Sequence, residues 1–144
     1  MLIRRANKED YAAFAAIEAG HPGFPAWGEN GFAGEEKNRN SVTLAAEFEG
    51  QAAGFINFWV LRPQVQLNSL AVRGDMLRRG AATALLGKLL EYARKSLCAE
   101  IDLEVNELNA PAIAFYLRHG FEVVGQRPKF YNNTDAALLM RKLL

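Results

Sequence analysis

Apolar and polar positions change period several times along the chain, and each change marks an element. Alternation in residues 2–5 predicts a short strand. Asn7 followed by Asp10 forms a capping pair that opens a helix through Glu18, with Gly20 at its end and Tyr11, Phe14 and Ile17 on its apolar face. The loop over residues 21–28 holds Pro22, Phe24, Pro25 and Trp27, a hydrophobic plug over the core or the wall of a substrate cleft. A second helical piece over residues 29–37 is weakened by Gly31 and Gly34.

Strands are expected over residues 42–49 and 52–61, joined by a hairpin turn at Glu49-Gly50-Gln51. Residues 64–72 set Val65, Leu67, Ser69 and Ala71 opposite Gln66, Asn68, Leu70 and Val72, a mixed pattern that suits a strand covered on both faces. From Arg79 to Lys95 the period turns helical: Leu85, Leu86, Leu89, Leu90 and Ala93 share one side, and Lys88, Glu91, Arg94 and Lys95 the other. Residues 101–106 form a strand. Residues 110–119 form a helix with Pro111 in its first turn and Gly120 ending it by left-handed geometry. Residues 121–125 and 137–143 read as closing strands. With no repeat, linker or low-complexity stretch, the pattern describes a single α/β domain over residues 1–144.

Composition narrows the function classes. A chain of 144 residues suits one domain, burying roughly two-thirds of the surface its unfolded form exposes. A formal net charge of +1 gives no electrostatic reason to expect nucleic acid or membrane as partners. The single Cys98 excludes an internal disulfide and reads as a buried thiol, while His21 and His119 belong to no metal-ligand spacing, so no metal is expected. No apolar run reaches membrane-spanning length and the N-terminus lacks a signal-peptide core, which points to the cytoplasm.

Two segments carry candidate chemistry. In Arg78-Arg79-Gly80-Ala81-Ala82-Thr83, small residues open a long helix. Unpaired backbone N–H groups and a partial positive charge at such a start bind phosphate; a plain tight turn has the same composition. In Ile101-Asp102-Leu103-Glu104-Val105-Asn106, the apolar side chains share one face and the polar ones the other, so Glu104 sits on a solvated face or in a cleft. A carboxylate in a cleft accepts a proton from a bound amine. Tyr116, one turn before Gly120, is a core tyrosine or a phenol aimed at a leaving group; its ordinary pKa near 10 suits protonation of a departing thiolate. Asn109 is an N-cap that also suits a contact with a cofactor amide.

Leu77-Arg78-Arg79-Gly80-Ala81-Ala82 and LEVNELNAPAIAFYLRHGFE (residues 103–122) together resemble the GNAT superfamily of acetyl-coenzyme A-dependent N-acetyltransferases, and more narrowly its RimI type, the ribosomal-protein-alanine N-acetyltransferases. Leu77 departs from that family's Arg or Gln, and Pro111 stands where Ala is frequent. The resemblance implies a mixed, mostly antiparallel sheet of six to seven strands flanked by about four helices. It implies acetyl-CoA as cosubstrate, Glu104 as proton acceptor and Tyr116 as proton donor. Cofactor contacts then fall on Leu70, Ala71, Val72, Arg78, Arg79, Gly80, Ala81, Ala82, Thr83 and Asn109. Phe24-Pro25-Ala26-Trp27 is similar to the family's loop beside the peptide site, and Lys129-Phe130-Tyr131 to its basic-aromatic stretch, with a shortened loop following at Asn132-Asn133-Thr134-Asp135.

The implied reaction is direct attack by a neutral amine on the thioester. The acceptor expected is the N-terminal α-amine of a protein, which the RimI resemblance implies is ribosomal, drawn to a cleft made acidic by Asp102, Glu104 and Glu107. A small-molecule amine acetyltransferase, or a module that binds acetyl-CoA without turnover, are the alternatives.

Overall fold

The computed structural model describes residues 1–21, 25–131 and 134–144, with residues 129–131 described by their backbone alone. Among the described residues there are seven strands and four α-helices. They are β1 (Leu2–Arg5), α1 (Tyr11–Ala19), α2 (Gly28–Glu35), β2 (Ser41–Phe48), β3 (Gln51–Leu61), β4 (Gln64–Val72), α3 (Ala81–Lys95), β5 (Glu100–Asn106), α4 (Ala110–Arg118), β6 (Glu122–Tyr131) and β7 (Asp135–Leu143). One sheet holds all seven strands in the order β1-β2-β3-β4-β5-β7-β6, and only the β4–β5 pair is parallel.

Local chemistry explains most boundaries. Asn7 accepts from the Glu9 N–H at 3.1 Å while Asp10 accepts from the Asn7 N–H at 2.9 Å, a reciprocal cap that opens a short 3-10 turn leading into α1. Glu49 and Gly50 both have positive φ, 52° and 79°, and close the β2–β3 hairpin in the two-residue geometry that matches strand twist. Gly120 ends α4 at φ 88°, and a Cβ there would lie 2.6 Å from the Lys142 Nζ. The second helix starts one residue ahead of the expected 29–37 span and stops two residues short of its end, and β6 runs past residue 125 to Tyr131.

Strand alternation sends side chains to two separate cores. Ile56, Phe58, Val65, Leu67, Ile101, Leu103, Val105 and Met140 pack with α3 and α4 on one face. Ala45, Phe55 and Ala71 pack on the other with Tyr11, Phe14 and Ile17 of α1 and Phe32 of α2, the Phe14, Phe32 and Phe55 rings lying 4.9–5.1 Å apart. Helices α1 and α2 cover β2, β3 and part of β4. The α1/α2 side of β5, with Asp102, Glu104 and Asn106, therefore has no helix over it. Cys98 is buried, and burial pushes its thiol above the usual range.

Candidate active site

The site begins with one extra residue in β4. Asn57 of β3 lies opposite Ser69, yet its neighbour Phe58 lies opposite Leu67, so Asn68 is a bulge with no partner across the pair. The bulge reverses parity: Val65 and Leu67 face the α3 core before it, and Leu70 and Val72 face the same core after it. This accounts for the mixed pattern of residues 64–72, which had suggested a strand simply covered on both sides. A bulge also bends its strand. Pairing of β4 with β5 runs from Gln64 opposite Glu100 to Leu67 opposite Leu103 and stops there. Beyond that point the two strands separate.

The edge of β4 left open is a row of backbone groups. The Arg73 N–H bonds the Ala53 carbonyl of β3 at 2.7 Å. Alternation then turns the N–H groups of Leu70 and Val72 away from β3 and towards the gap. The Val72 carbonyl, on that same edge, accepts from His21 Nε2 at 2.8 Å.

Glu104 and Tyr116 meet at this gap. Both line a cavity of about 460 Å³ together with His21, Asn68, Ser69 and Asn109. Glu104 reaches it from the β5 face that α1 and α2 leave bare. Tyr116 reaches it from α4, where its ring sits 5.4 Å from both Phe115 and Phe121 and is 8% exposed. A core tyrosine and a cleft phenol are thus the same residue. Asn109 caps α4 by accepting from the Ala112 N–H at 3.2 Å and also lines the cavity.

Glu104 carries a partner absent from the expectation. Arg127 Nη2 lies 2.8 Å from Glu104 Oε1. Asp102 and Glu100 share Arg141, at 2.7 and 2.5 Å, and Glu107 accepts from the Ala136 N–H at 3.3 Å. The expected acidic cleft is corrected accordingly: two of its three carboxylates are matched by arginines, Asp102 by Arg141 of β7 and Glu104 by Arg127 of β6.

The start of α3 is an open anion cradle. Gly80 is its N-cap at φ 84°, Arg78 lies at φ 65°, and no side chain caps the helix. The first helical bond runs from the Ala84 N–H to the Gly80 carbonyl, which leaves the N–H groups of Ala81, Ala82 and Thr83 without an intrahelical acceptor. Arg78, Arg79 and Gly80 are exposed and Ala81 is buried against the sheet. Small side chains and free N–H groups there fit a diphosphate. Leu77 is exposed and adds no polar group. Thr83 contacts His119 at 3.3 Å, and burial, followed by Arg118 and Lys142, lowers the pKa of that imidazole.

The described part of the loop between α1 and α2 touches both the cavity and the second core. Pro25 lines the cavity, while Trp27 packs against Phe32 of the second core with ring centroids 5.4 Å apart and planes tilted by 48°. Phe24 lies outside the described residues, as do Asn132, Asn133 and the side chains of Lys129, Phe130 and Tyr131. Among the described residues no group of three or more His, Cys, Asp or Glu is placed to hold a metal. No helix among them is long and apolar enough to cross a membrane. Sequence reasoning missed His21, Ser69 and Arg127. For Ser69 a signal existed, since the apolar period slips by one between Leu67 and Leu70; for the other two the contact depends on strands and loops distant in sequence.

Residues 4–121 match the model of the acetyltransferase (GNAT) family. The [ribosomal protein bS18]-alanine N-acetyltransferase of Escherichia coli (strain K12) is 33% identical over 126 residues, which is 88% of this chain and 84% of the relative. The streptothricin acetyltransferase of Streptomyces lavendulae is 28% identical over 74% of this chain and 57% of its own length. The crystal structure of the ribosomal-protein-S18-alanine N-acetyltransferase from Escherichia coli superposes with a TM-score of 0.87 at 28% identity, covering 99% of this chain and 92% of that one.

Proposed function

The chain belongs to the acetyltransferase (GNAT) family as an acetyl-CoA-dependent N-acetyltransferase, and on that premise we propose that its acceptor is the N-terminal α-amine of a protein, with Glu104 as base and Tyr116 as acid. The observation that carries this reading is the shared cavity: a carboxylate and a phenol line one space where β4 and β5 part.

Acetyl-CoA supplies the electrophilic thioester carbonyl. The N–H groups of Ala81, Ala82 and Thr83, beside Arg78, Arg79 and Gly80, would hold its diphosphate. The Leu70, Ala71 and Val72 edge, with Asn109, would hold its arm. The acceptor nitrogen forms the new C–N bond as the C–S bond breaks. Its proton passes to Glu104, directly or through one water, and the Tyr116 hydroxyl gives its proton to the departing sulfur. The Val72 N–H, or that of Leu70, donates to the oxygen on which negative charge develops.

Proton affinity favours an α-amine over lysine. At pH 7 an α-amine near 8 gives up its proton at modest cost, while a lysine near 10.4 costs roughly 3 kcal/mol more. One carboxylate already paired with Arg127 suits the easier proton. The similarity to enzymes named as alanine N-acetyltransferases of a ribosomal protein supports a ribosomal protein as acceptor, and a cytoplasmic location accords with that partner. The similarity to streptothricin acetyltransferase favours a second reading, a small-molecule amine. A panel of peptides with free N-termini, including Ala-initiated ones, assayed beside streptothricin-like amines and polyamines, decides between them. Higher kcat/KM for the peptides supports the first reading, and higher values for the small amines overturn it.

A further inference from the structure

Ser69 lines the cleft, and its buried hydroxyl has no hydrogen-bond partner among the described residues. The residue is 7% exposed, it lines the cavity with Glu104, and its Oγ is the one buried side-chain polar atom without a hydrogen-bond partner among the described residues. Native interiors rarely leave such a group unmatched, and each exception calls for an explanation such as a functional role.

The neighbouring residue explains why the protein does not satisfy it. Asn57 is fully buried and directly opposite Ser69. Its amide already donates to Ser41 Oγ and Thr43 Oγ1, at 2.9 Å each, and accepts from Asn68 Nδ2 at 3.0 Å. Ser41 in turn donates to Glu35 at 2.7 Å, which also holds Trp59 Nε1 at 2.7 Å. This network occupies the polar groups around Asn57 and stops one residue short of Ser69.

Which ligand atom takes the hydroxyl follows from the face. Ser69 pairs with Asn57 and Ala71 packs with the α1/α2 core, so Ser69 points to the α1/α2 side of the sheet, as Glu104 does. Tyr116 and the cradle of α3 lie on the opposite side. Ser69 is therefore on the acceptor's side of the gap. The acceptor nitrogen uses its lone pair for the thioester and one N–H for Glu104, while a carbonyl on the carbon beside it would offer the oxygen that a hydroxyl donor needs.

We propose, resting on the acetyl-transfer reading above, that Ser69 is a specificity-determining residue whose hydroxyl donates to the first carbonyl of the acceptor. It selects amines that carry a carbonyl on the adjacent carbon, the arrangement of a peptide N-terminus. Polyamines lack that carbonyl, and the ε-amine of lysine holds it several bonds away.

A substrate and enzyme cycle tests this. An Ala-initiated peptide and the same peptide with its first carbonyl reduced to methylene are assayed with wild type, Ser69→Ala and Ser69→Thr, alongside equilibrium binding of acetyl-CoA and thermal denaturation. Ser69→Ala is expected to lower kcat/KM on the intact peptide by about tenfold, mostly through KM, the loss of one hydrogen bond. It leaves the reduced peptide and acetyl-CoA affinity unchanged, and Ser69→Thr, which keeps a hydroxyl, retains most of the intact-peptide activity. Equal losses on both peptides, no loss on either, or weakened acetyl-CoA binding overturns the assignment while leaving the acetyl-transfer reading in place. Wild type that acetylates neither peptide overturns that reading together with this one. If Ser69→Ala does not fold, the Ser69→Thr variant decides: activity on the intact peptide far below wild type, with the reduced peptide equally affected, overturns the proposal.

Discussion

Arg127 on β6 reaches across β7 to place its Nη2 2.8 Å from Glu104 Oε1 on β5. The proposed base therefore sits beside a permanent cation, and an incoming acceptor ammonium meets a positive charge where the carboxylate alone would attract it. Arg127→Ala is expected to lower KM for a cationic peptide several-fold at low salt, with the difference shrinking as ionic strength rises and screening shortens the reach of the field. Initial rates at two salt concentrations check this; an unchanged or raised KM at low salt contradicts it.

Glu104→Gln keeps the size of the side chain and removes its proton affinity. Turnover is expected to fall by about 10²–10⁴, the range for loss of a positioned base, with acetyl-CoA binding intact by calorimetry. Tyr116→Phe preserves ring packing against Phe115 and Phe121. It is expected to lower kcat with little change in Tm. A Tm loss matching the activity loss would make Tyr116 structural only.

Glu18 is buried, and its carboxylate accepts from the Trp27 N–H at 2.8 Å and the Gly28 N–H at 3.1 Å, tying α1 to the start of α2. Removing it leaves two donors unmatched and loosens the loop that brings Pro25 to the cavity. Glu18→Ala is expected to cost about 2 kcal/mol of stability and to raise the acceptor KM while acetyl-CoA affinity holds. Urea unfolding and steady-state kinetics read the two effects separately.

Asp10 accepts from Arg4 at 2.8 and 2.9 Å and from the Asn7 N–H at 2.9 Å, and Arg4 also holds Glu47 at 2.9 Å. Burial by itself would raise the Asp10 carboxyl, but the Arg4 and Asn7 bonds outweigh it and hold the group below the usual carboxylate range. A depressed folded value means the unfolded chain binds the proton first as pH falls. The stabilisation is therefore complete above about pH 4, the ordinary carboxylate value, and is lost as pH drops through the lower folded value. Asp10→Asn should lower stability at neutral pH and flatten the acid limb of a stability profile.

Tyr11 behaves oppositely at high pH. Burial, then its hydrogen bond to Glu36, pushes its phenol up to about 12. The unfolded chain loses that proton near pH 10, so the contribution is present below 10 and lost as pH rises towards 12. Tyr11→Phe should remove this alkaline loss, as seen by chemical denaturation at pH 9 and 11.

The elements were legible because their causes are local. The Asn7 and Asp10 cap, the Glu49-Gly50 turn, the leucine face of α3 and the glycine stop at Gly120 each depend on neighbours within a few residues. Boundaries slipped where locality failed: β6 continues past residue 125 because β7 pairs with it as far as Tyr131 opposite Asp135, a condition set across the hairpin.

The chain's residue order alone determined the apolar periods, the small-residue start of α3, and the presence of a carboxylate, a phenol and an amide within residues 104–116. It could not determine that Asn68 is a bulge which parts β4 from β5, that Arg127 lands on Glu104, or that Ser69 faces the cleft unmatched. Those facts depend on which strands become neighbours and in what register. In this sheet β7 lies between β5 and β6, so residues far apart in sequence share one face only once the whole sheet has formed.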